Sequence, residues 1–485
     1  MTEVKFSELS GSHRDKISTV DQRGKRIWIY VKKVSGKFFN YRQLVAYLLV
    51  AFLMVLPWLK YDGEPFVLFN ILEGKFIIFG QHYTHQDFHL FVVGMLIAVV
   101  FIVLFTAIFG RLFCGWICPQ TIFMEMVFRR IEWAIEGDAN AQKRLDAAPW
   151  DFNKIWRKGL KHFIFVLISV IISHTFLSYI IGVDELGKLV TGNPFDHWQG
   201  LVGMVVFTAA FYGVFARLRE QVCTTICPYG RLQGVMLDQN SLAVAYDFVR
   251  GEPRGKIRKE KPLEKKAEVT AAEVLNLPQK LGDCIDCKLC VHVCPTGIDI
   301  RNGTQLECVN CTACMDACDE VMVKIQRPKG LIRIDSYNGI IHKKKSIWNT
   351  RVAAYSVVLI ALIGLESFLF ASRNPIEALF LRTPGTLYQK LDDDMIGNLY
   401  NFQIVNKTAD ESHELFFKVI GPEGAVIEFV GQKPKLIKNG MSEGAAFIKI
   451  PNESIKSMKT PLRIEIYDGK EMLDDVSTNF FGPDK

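Results

Sequence analysis

The 485-residue sequence has no cysteine after Cys318, and its twelve cysteines all fall within four short motifs. A disulfide-bonded secreted protein spreads its cysteines through the fold, so this distribution excludes a disulfide scaffold and favours metal ligation in a reducing compartment. The first 40 residues also lack a long apolar run and are polar and basic. We therefore expect no cleavable signal peptide.

Long apolar stretches are present further along the chain, which is 49% hydrophobic with a net charge of +7. This composition indicates a membrane protein with soluble portions rather than one globular domain. A shorter apolar patch, Phe66–Phe79, is broken by Glu73 and Lys75 and is interpreted as an interfacial turn or hairpin. Five stretches approach the roughly 20 residues that a membrane-spanning helix needs. They are about Leu44–Leu59, Phe88–Phe109, Phe163–Ile181, Leu201–Leu218 and Val352–Ala371.

Lysine and arginine are unevenly distributed between the predicted loops. They cluster in the N-terminal tail and in the loops after the second and fourth apolar stretches, whereas the first and third loops have few. The positive-inside rule then predicts that the N-terminus and the cysteine-rich insert face the cytoplasm. Five crossings would place the C-terminal segment outside, which is the periplasm in a Gram-negative host. Topology explains these basic loops more simply than nucleic-acid binding does.

The most informative motif consists of two consecutive cysteine runs, each with the spacing C-x2-C-x2-C-x3-C. Thiolates at this spacing on a tight loop bind a [4Fe-4S] cluster. Zinc is the alternative, but a tetrahedral zinc site does not use a third equally spaced cysteine followed by C-x3-C-P. In the bacterial two-cluster pattern the fourth cysteine of each run crosses over to the other cluster. This predicts one cluster on Cys284, Cys287, Cys290 and Cys318, and a second on Cys308, Cys311, Cys314 and Cys294.

A second repeated motif, C-x3-C-P, follows both the second and the fourth apolar stretches. It contains Cys114 and Cys118 in the first copy and Cys223 and Cys227 in the second. Cysteines four residues apart share one face of a helix, so all four sulfurs converge if the two helices pack together. Because thiolates select Cu(I), zinc or iron–sulfur groups, a soft-metal site is the favoured interpretation. A dithiol–disulfide redox pair and small buried packing residues are the alternatives.

Histidine and glutamate near the membrane are weaker signals. His82, His85 and His89 have helical spacing at the outer end of the second stretch, which would align them on one face. Ordinary interfacial histidines are the favoured interpretation, with a metal-uptake site as the alternative. His174 and Glu366 lie inside apolar stretches, where ionisable groups are costly and often functional. Since His174 has no evident partner as a haem ligand, polar packing is the favoured interpretation for both.

The chain after Arg373 changes to short alternating segments separated by turn residues, which predicts a β-sandwich. These segments are Tyr400–Val405, Leu415–Ile420, Ala425–Val430, Ala445–Ile450 and Leu462–Tyr467. The predicted organisation is a tail at 1–43, four membrane helices with the C-x3-C-P motifs at 44–250, a charged linker at 251–280, a ferredoxin-like double-cluster domain at 281–340, a fifth helix at 351–371 and an outer domain at 373–485.

This order of elements resembles the cytochrome c oxidase accessory protein family, of the CcoG, FixG and RdxA type, over nearly the whole chain. The resemblance implies a bacterial inner-membrane iron–sulfur protein that reduces Cu(II) to Cu(I) during assembly of cbb3-type oxidase. It also implies an immunoglobulin-like periplasmic domain. The implied partners are a copper-exporting P-type ATPase and oxidase assembly factors. An unidentified electron donor and a second copy of the chain, forming a homodimer, are further hypotheses. The eight cysteines from Cys284 to Cys318 match the family's cluster motifs, and the C-x3-C-P cysteines match its membrane motifs.

Three functions therefore follow as hypotheses. Since thiolates stabilise Cu(I), the first is a cupric reductase in which Cys114, Cys118, Cys223 and Cys227 are catalytic and bind copper. The second is a quinol-linked electron-transfer protein that feeds a periplasmic reductase, for which bound quinone would be the distinguishing observation. The third is a non-enzymatic scaffold for oxidase assembly, which cluster-free variants that still support assembly would favour.

Overall fold

The computed structural model of the protein describes residues 19–21, 23, 25–61, 63–71, 75–83, 87–193, 196–256, 281–343, 347–374, 376–385, 387–391, 394–407, 415–437 and 440–483. Most of the predicted linker, at 257–280, lies outside these residues. The chain divides into two compact units. The first consists of Met1–Pro57 and Val93–Ile363, and the second of Trp58–Val92 and Gly364–Lys485.

In the described part of the chain, five helices are long and apolar enough to cross a membrane, which confirms the predicted membrane architecture. They are Lys37–Trp58, Phe88–Phe109, Phe152–Ile181, Trp198–Leu218 and Thr350–Ala371. Two begin well before their apolar stretches. The third starts at Phe152 because the Asp151 carboxylate accepts the Lys154 N–H as an N-cap. The first starts at Lys37 because the Asp316 carboxylate accepts the N–H groups of Phe38 and Phe39.

Each C-x3-C-P motif lies among short helical segments rather than in one continuous helix. Leu112–Trp116, Pro119–Ile122, a π-helical Phe123–Phe128, Arg129–Ile135 and Ala139–Ala147 follow the second long helix. Aromatic packing holds the π-helical segment Phe123–Phe128 in place. The ring centroid of Phe128 lies 4.8 Å from that of Phe165 and 4.9 Å from that of Phe215. After the fourth long helix come a π-helical Val222–Ile226 and the helix Pro228–Met236.

The cysteine-rich domain is small and contains both helices and strands. Its helices are Leu289–His292, Ala313–Lys324 and Tyr337–His342, with a 3-10 turn at Ile300–Asn302. The strand Ala243–Tyr246 pairs antiparallel with Ile332–Asp335. A core that includes Val244, Met322 and Leu331 closes the domain around the cysteine loops.

The second unit contains the predicted β-sandwich, which is confirmed. One sheet has the order Val426–Val430, Met441–Pro451, Met395–Asn406 and Ile376–Arg382, and Gln389–Lys390 also pairs with Met395–Asn406. The other has the order Leu415–Ile420, Lys459–Asp468 and Glu471–Phe481. Tyr400, Ile448, Ile464 and Phe480 are fully buried between the sheets. The same unit contains the three antiparallel strands Val67–Asn70, Lys75–Ile78 and Gln81–Tyr83, so the predicted hairpin is present.

The predicted helical alignment of the outer histidines is wrong. His82 lies in a β-strand opposite Ile77, and the second long helix begins only at Phe88. The left-handed conformations of Phe79 and Gly80 turn the chain between strands, so helical spacing does not apply there. His89 is in the first turn of the helix, and His85 lies outside the described residues.

The two ionisable residues inside apolar stretches have local contacts. His174 Nδ1 lies 2.8 Å from the Val170 carbonyl oxygen of the same helix, a contact that matches the polar-packing interpretation. Glu366 interacts electrostatically with His89. One carboxylate oxygen of Glu366 is buried without a hydrogen-bond partner.

Candidate cluster sites and thiol quartet

The two cysteine runs form loops with the same backbone shape. Asp286 and Lys288, on either side of Cys287, have φ of 53° and 55°. Asn310 and Thr312, at the equivalent places in the second run, have φ of 52° and 63°. Non-glycine residues seldom adopt this left-handed conformation, so two such residues at matching positions indicate a shared constraint. Each loop curls around an internal space.

The first of these spaces, called the first site, is a cavity with an empty volume of about 360 Å³. Most of its remaining wall is apolar, including Ile285, Leu289, Val321 and Leu331. Its four thiols come from both cysteine runs. They belong to Cys284, Cys287, Cys290 and Cys318.

The second space, called the second site, is a cavity of about 340 Å³. Cys290 borders both cavities, so the two sites adjoin. Apolar side chains such as Val244, Ile298 and Ile300 complete much of its wall. Its other four thiols again come from both runs. They belong to Cys294, Cys308, Cys311 and Cys314.

The donor sets of both sites fit a [4Fe-4S] group. Four thiols border each cavity as its predicted ligands, the number that a [4Fe-4S] cluster takes. Among the described residues, no three His, Cys, Asp or Glu side chains lie close enough to hold a single metal ion. A polynuclear group with thiolate ligands therefore fits these cavities better than one zinc ion does.

Burial shapes the acidity of these thiols. It raises the pKa to about 12 at Cys290, Cys308 and Cys318, and to about 11 at Cys311. Thiols of this kind stay protonated at neutral pH unless a metal displaces the proton. The two sites also differ in exposure: Cys287 of the first site is exposed, whereas no cysteine of the second site is. The first site thus has an edge open to solvent.

The C-x3-C-P cysteines do not share a helical face, so that prediction is wrong. Cys114 lies in the helix Leu112–Trp116, whereas Cys118 is extended, with φ −57° and ψ 123°. Cys227 is likewise extended, with φ −71° and ψ 110°. The cause is the following proline, which disfavours helical backbone in the residue before it. Each motif therefore turns at its second cysteine.

The four cysteines of the two motifs nevertheless face a common region, and we call them the thiol quartet. Burial raises the pKa of Cys114, Arg111 opposes that rise, and Cys118 and Cys227 add to it. Burial also raises the pKa of Cys223 to about 12, with contributions from Cys118 and Cys114. Cys223 also packs against the buried apolar cluster that contains Cys114.

The thiol quartet lies beside the second site. A Cβ atom added at Gly115 would lie 2.9 Å from the Asn310 carbonyl oxygen and closer still to that of Val309. Cys114 and Cys311 also belong to one buried apolar cluster. The glycine between Cys114 and Cys118 thus lets the first motif contact the second cysteine loop directly.

Two buried arginines at this contact were missed by the sequence analysis. Arg111 is 3% exposed. Its Nε donates to Gln233 Oε1 at 3.3 Å and its Nη1 donates to the Leu306 carbonyl oxygen. Gln233 Oε1 also accepts from Cys114 Sγ at 2.9 Å. Arg111 therefore joins the quartet to the loop of the second site.

The second arginine, Arg42, is also 3% exposed. Its Nε donates to the Gly115 carbonyl oxygen at 2.7 Å, and its Nη2 has no hydrogen-bond partner. Arg42 precedes the apolar stretch Leu44–Leu59 by two residues, so the sequence pattern did not mark it as an ionisable residue within the membrane.

Comparison with known proteins gives three matching family profiles. One describes a 4Fe-4S dicluster domain and matches residues 218–337. Another describes a 4Fe-4S binding domain and matches residues 91–136. The third describes the Ig-like fold at the C-terminus of FixG and matches residues 367–483. The matched regions include both cysteine runs and both C-x3-C-P motifs.

Curated relatives match over longer stretches. Protein RdxA of Cereibacter sphaeroides is 31% identical over 446 residues, which cover 87% of this chain and 86% of RdxA. Protein RdxB of the same organism is 34% identical, with 80% of each chain covered. Nitrogen fixation protein FixG of Rhizobium meliloti is 38% identical over 64% of this chain, but the alignment spans only 57% of FixG.

Proposed function

Because the chain belongs to the FixG and RdxA family of membrane iron–sulfur oxidoreductases, we propose that it is a cupric reductase that supplies Cu(I) for assembly of cbb3-type cytochrome c oxidase. The observation that supports this proposal best is the position of the thiol quartet against the second site. Soft thiolates favour Cu(I) over Cu(II), so a quartet beside an electron source suits one-electron reduction of copper.

The proposed cofactors are two [4Fe-4S] clusters, held by the cysteines of the first and second sites. When bound, they would supply one-electron transfer. Cys287 leaves the first site open to an electron donor. Gly115 allows the quartet to contact the second loop. Gln233 orients the Cys114 thiol by accepting its hydrogen bond.

Copper is the proposed substrate, which gains one electron at the quartet. The described residues contain no group of three metal-ligating side chains, so the quartet is not a ready-made three-ligand site. We propose instead that copper binds through pairs of these thiols and leaves after reduction.

The proposed orientation follows from the basic loops. It places the N-terminus and the cysteine-rich domain in the cytoplasm of a bacterial inner membrane and the β-sandwich in the periplasm. In this arrangement a copper-exporting P-type ATPase is the proposed partner that receives Cu(I). The sandwich, which lacks cysteine, is proposed to bind oxidase assembly factors.

An anaerobic stopped-flow experiment tests the activity. The protein is reduced with dithionite, freed of excess reductant and mixed with Cu(II), while cluster absorbance and a Cu(I)-specific chelator are followed together. We expect cluster oxidation to match Cu(I) formation, and both to be lost when all four quartet cysteines are replaced by serine. Unchanged Cu(I) formation in that variant, with full iron content, would overturn the assignment. Clusters that stay reduced in the wild type would point to quinol chemistry or a scaffold role.

A further inference from the structure

We infer that Arg42 and Arg111 are the counter-charges of the second site and give the [4Fe-4S] group bound there a higher reduction potential than the group at the first site. The inference rests on the proposed ligand sets but not on copper as the substrate. The two proposals can therefore fail separately.

Burial makes the charges of these arginines significant. A buried cation is costly unless an anion lies near it. Arg42 and Arg111 donate to carbonyl oxygens and to the Gln233 amide, and Arg111 also interacts with the Cys114 thiol. Within the described residues, neither arginine forms an ion pair with a carboxylate. Their positive charge is left for another anion to balance.

Both arginines lie close to cysteines of the second site, and Arg111 also acts on Cys114 of the thiol quartet. Arg42 contacts Gly115, which lies against the Val309–Asn310 peptide of the second loop, and its charge acts on Cys311. Arg111 contacts the Leu306 carbonyl, just before Cys308, and its charge acts on Cys308. Each arginine thus acts on a different proposed ligand of the same group.

A nearby acidic residue does not cancel these charges. Glu125 is buried and also acts on Cys311. Its Oε1, however, lies 3.1 Å from Arg129 Nε, so that pair is neutral as a unit. Asp316 is also buried, and its carboxylate accepts the N–H groups of Phe38 and Phe39. Among the described residues, neither Glu125 nor Asp316 forms an ion pair with Arg42 or Arg111.

The first site has a cation as well, but that cation is neutralised. Arg301 acts on Cys290. Its Nη1 lies 2.6 Å from Asp286 Oδ1, and its Nη2 lies 2.7 Å from Asp299 Oδ2. Asp319 adds a further negative charge that acts on Cys318. The first site is therefore the more negative of the two.

Charge and burial act in opposite directions at the second site. A reduced cluster carries one more negative charge than an oxidised one, so burial alone would lower its potential, whereas adjacent cations raise it. The attraction between unit charges strengthens as the local dielectric falls, so two buried arginines in the same low-dielectric region outweigh the burial effect. The electron is then held preferentially at the site that contacts the thiol quartet.

A redox titration monitored by EPR, with no copper present, tests this inference. We expect two midpoint potentials in the wild type. Arg42→Gln and Arg111→Gln should each lower one midpoint by at least the equivalent of a tenfold change in equilibrium constant, about 59 mV for one electron. The other midpoint should stay unchanged. The matched variants Arg42→Lys and Arg111→Lys, which keep the charge, should retain most of the wild-type potential.

Two results would overturn the inference. One is a pair of midpoints that stays unchanged in the glutamine variants at full iron content. The other is loss of iron in the lysine and glutamine variants alike, since the arginines would then be required for packing rather than for charge. Loss of the second-site group in the glutamine variants alone supports the counter-charge role.

Discussion

The two cysteine loops share their spacing and their backbone, but not their surroundings. Both have left-handed residues on either side of the middle cysteine of the loop. The first loop leaves Cys287 exposed and has an arginine that two aspartates neutralise. The second loop contacts the first C-x3-C-P motif and lies beside two arginines that form no ion pair with a carboxylate among the described residues. The repeated motif gives both sites the same thiol spacing, and the two sites differ in exposure and in the charges around them.

This difference fits the proposed flow of electrons from the first site to the second. An open edge suits an electron donor, and a buried site in contact with thiols suits delivery to a substrate. In the proposed function, electrons pass between two sites of the first unit that differ in exposure and charge. The following variants test this difference between the two sites.

The largest effect is expected from removing a ligand at each site in turn. Cys311→Ser should lose the second-site group and also destabilise the first unit, because Cys311 is buried in the same core cluster as Cys114. Cys287→Ser, at an exposed position, should lose the first-site group with a smaller fall in melting temperature. Iron content and thermal unfolding in detergent measure both effects. Equal loss of stability in the two variants would contradict the contrast in burial.

The next effect concerns the contact between the quartet and the second loop. Gly115→Ala would force a Cβ atom against the Val309 and Asn310 carbonyl oxygens. We expect a destabilisation of about 1–3 kcal/mol, as for other overpacked sites, together with slower Cu(I) formation in the stopped-flow assay. Gly213→Ala is the matched control, because nothing lies within 4 Å of the added Cβ atom there. Normal Cu(I) formation by Gly115→Ala would show that the close contact is dispensable.

A smaller effect is expected where the cysteine-rich domain meets the first long helix. Asp316 lies in the second cysteine run and accepts the N–H groups of Phe38 and Phe39 at 3.1 and 2.7 Å. Asp316→Ala should cost about 1 kcal/mol, the usual value of an N-terminal cap, and should increase amide hydrogen exchange near both the helix start and the second loop.

Asp151→Ala provides the comparison, since it removes an equivalent cap from the third long helix. Its effect on hydrogen exchange should stay within that helix. If both variants perturb the second loop equally, Asp316 has no special role in docking the cysteine-rich domain.

The smallest of these effects is expected when one charge is removed beside the first site. Asp299→Asn removes one of the two charges that neutralise Arg301, so the first-site midpoint potential should rise while the second stays constant. The gap between the two midpoints then narrows. An EPR titration that shows a wider gap would contradict the proposed assignment of the two potentials.

Sequence reasoning recovered the parts of the molecule that local pattern determines. The lengths of the apolar stretches predicted five membrane helices, and the cysteine spacing predicted which thiols would surround each cavity. Pro119 also predicts that helical backbone ends at Cys118. The prediction of a shared helical face relied instead on the four-residue spacing of the cysteines.

Other features depend on tertiary contacts that the sequence does not display. The roles of Arg42 and Arg111 arise from their partners at Gly115 and Leu306, which are distant in the chain. The strand Glu471–Phe481 was missed because most of it is polar, and its most deeply buried residue is Phe480.

Rapid-freeze EPR of the reduced protein after mixing with Cu(II) tests the central claim most directly, because it follows both cluster signals and the Cu(II) signal in the same sample. The account predicts that the second-site signal is lost first, together with the Cu(II) signal, and that the first-site signal follows. The four-serine quartet variant should keep both cluster signals. Earlier oxidation of the first site, or unchanged kinetics in the quartet variant, would contradict the account.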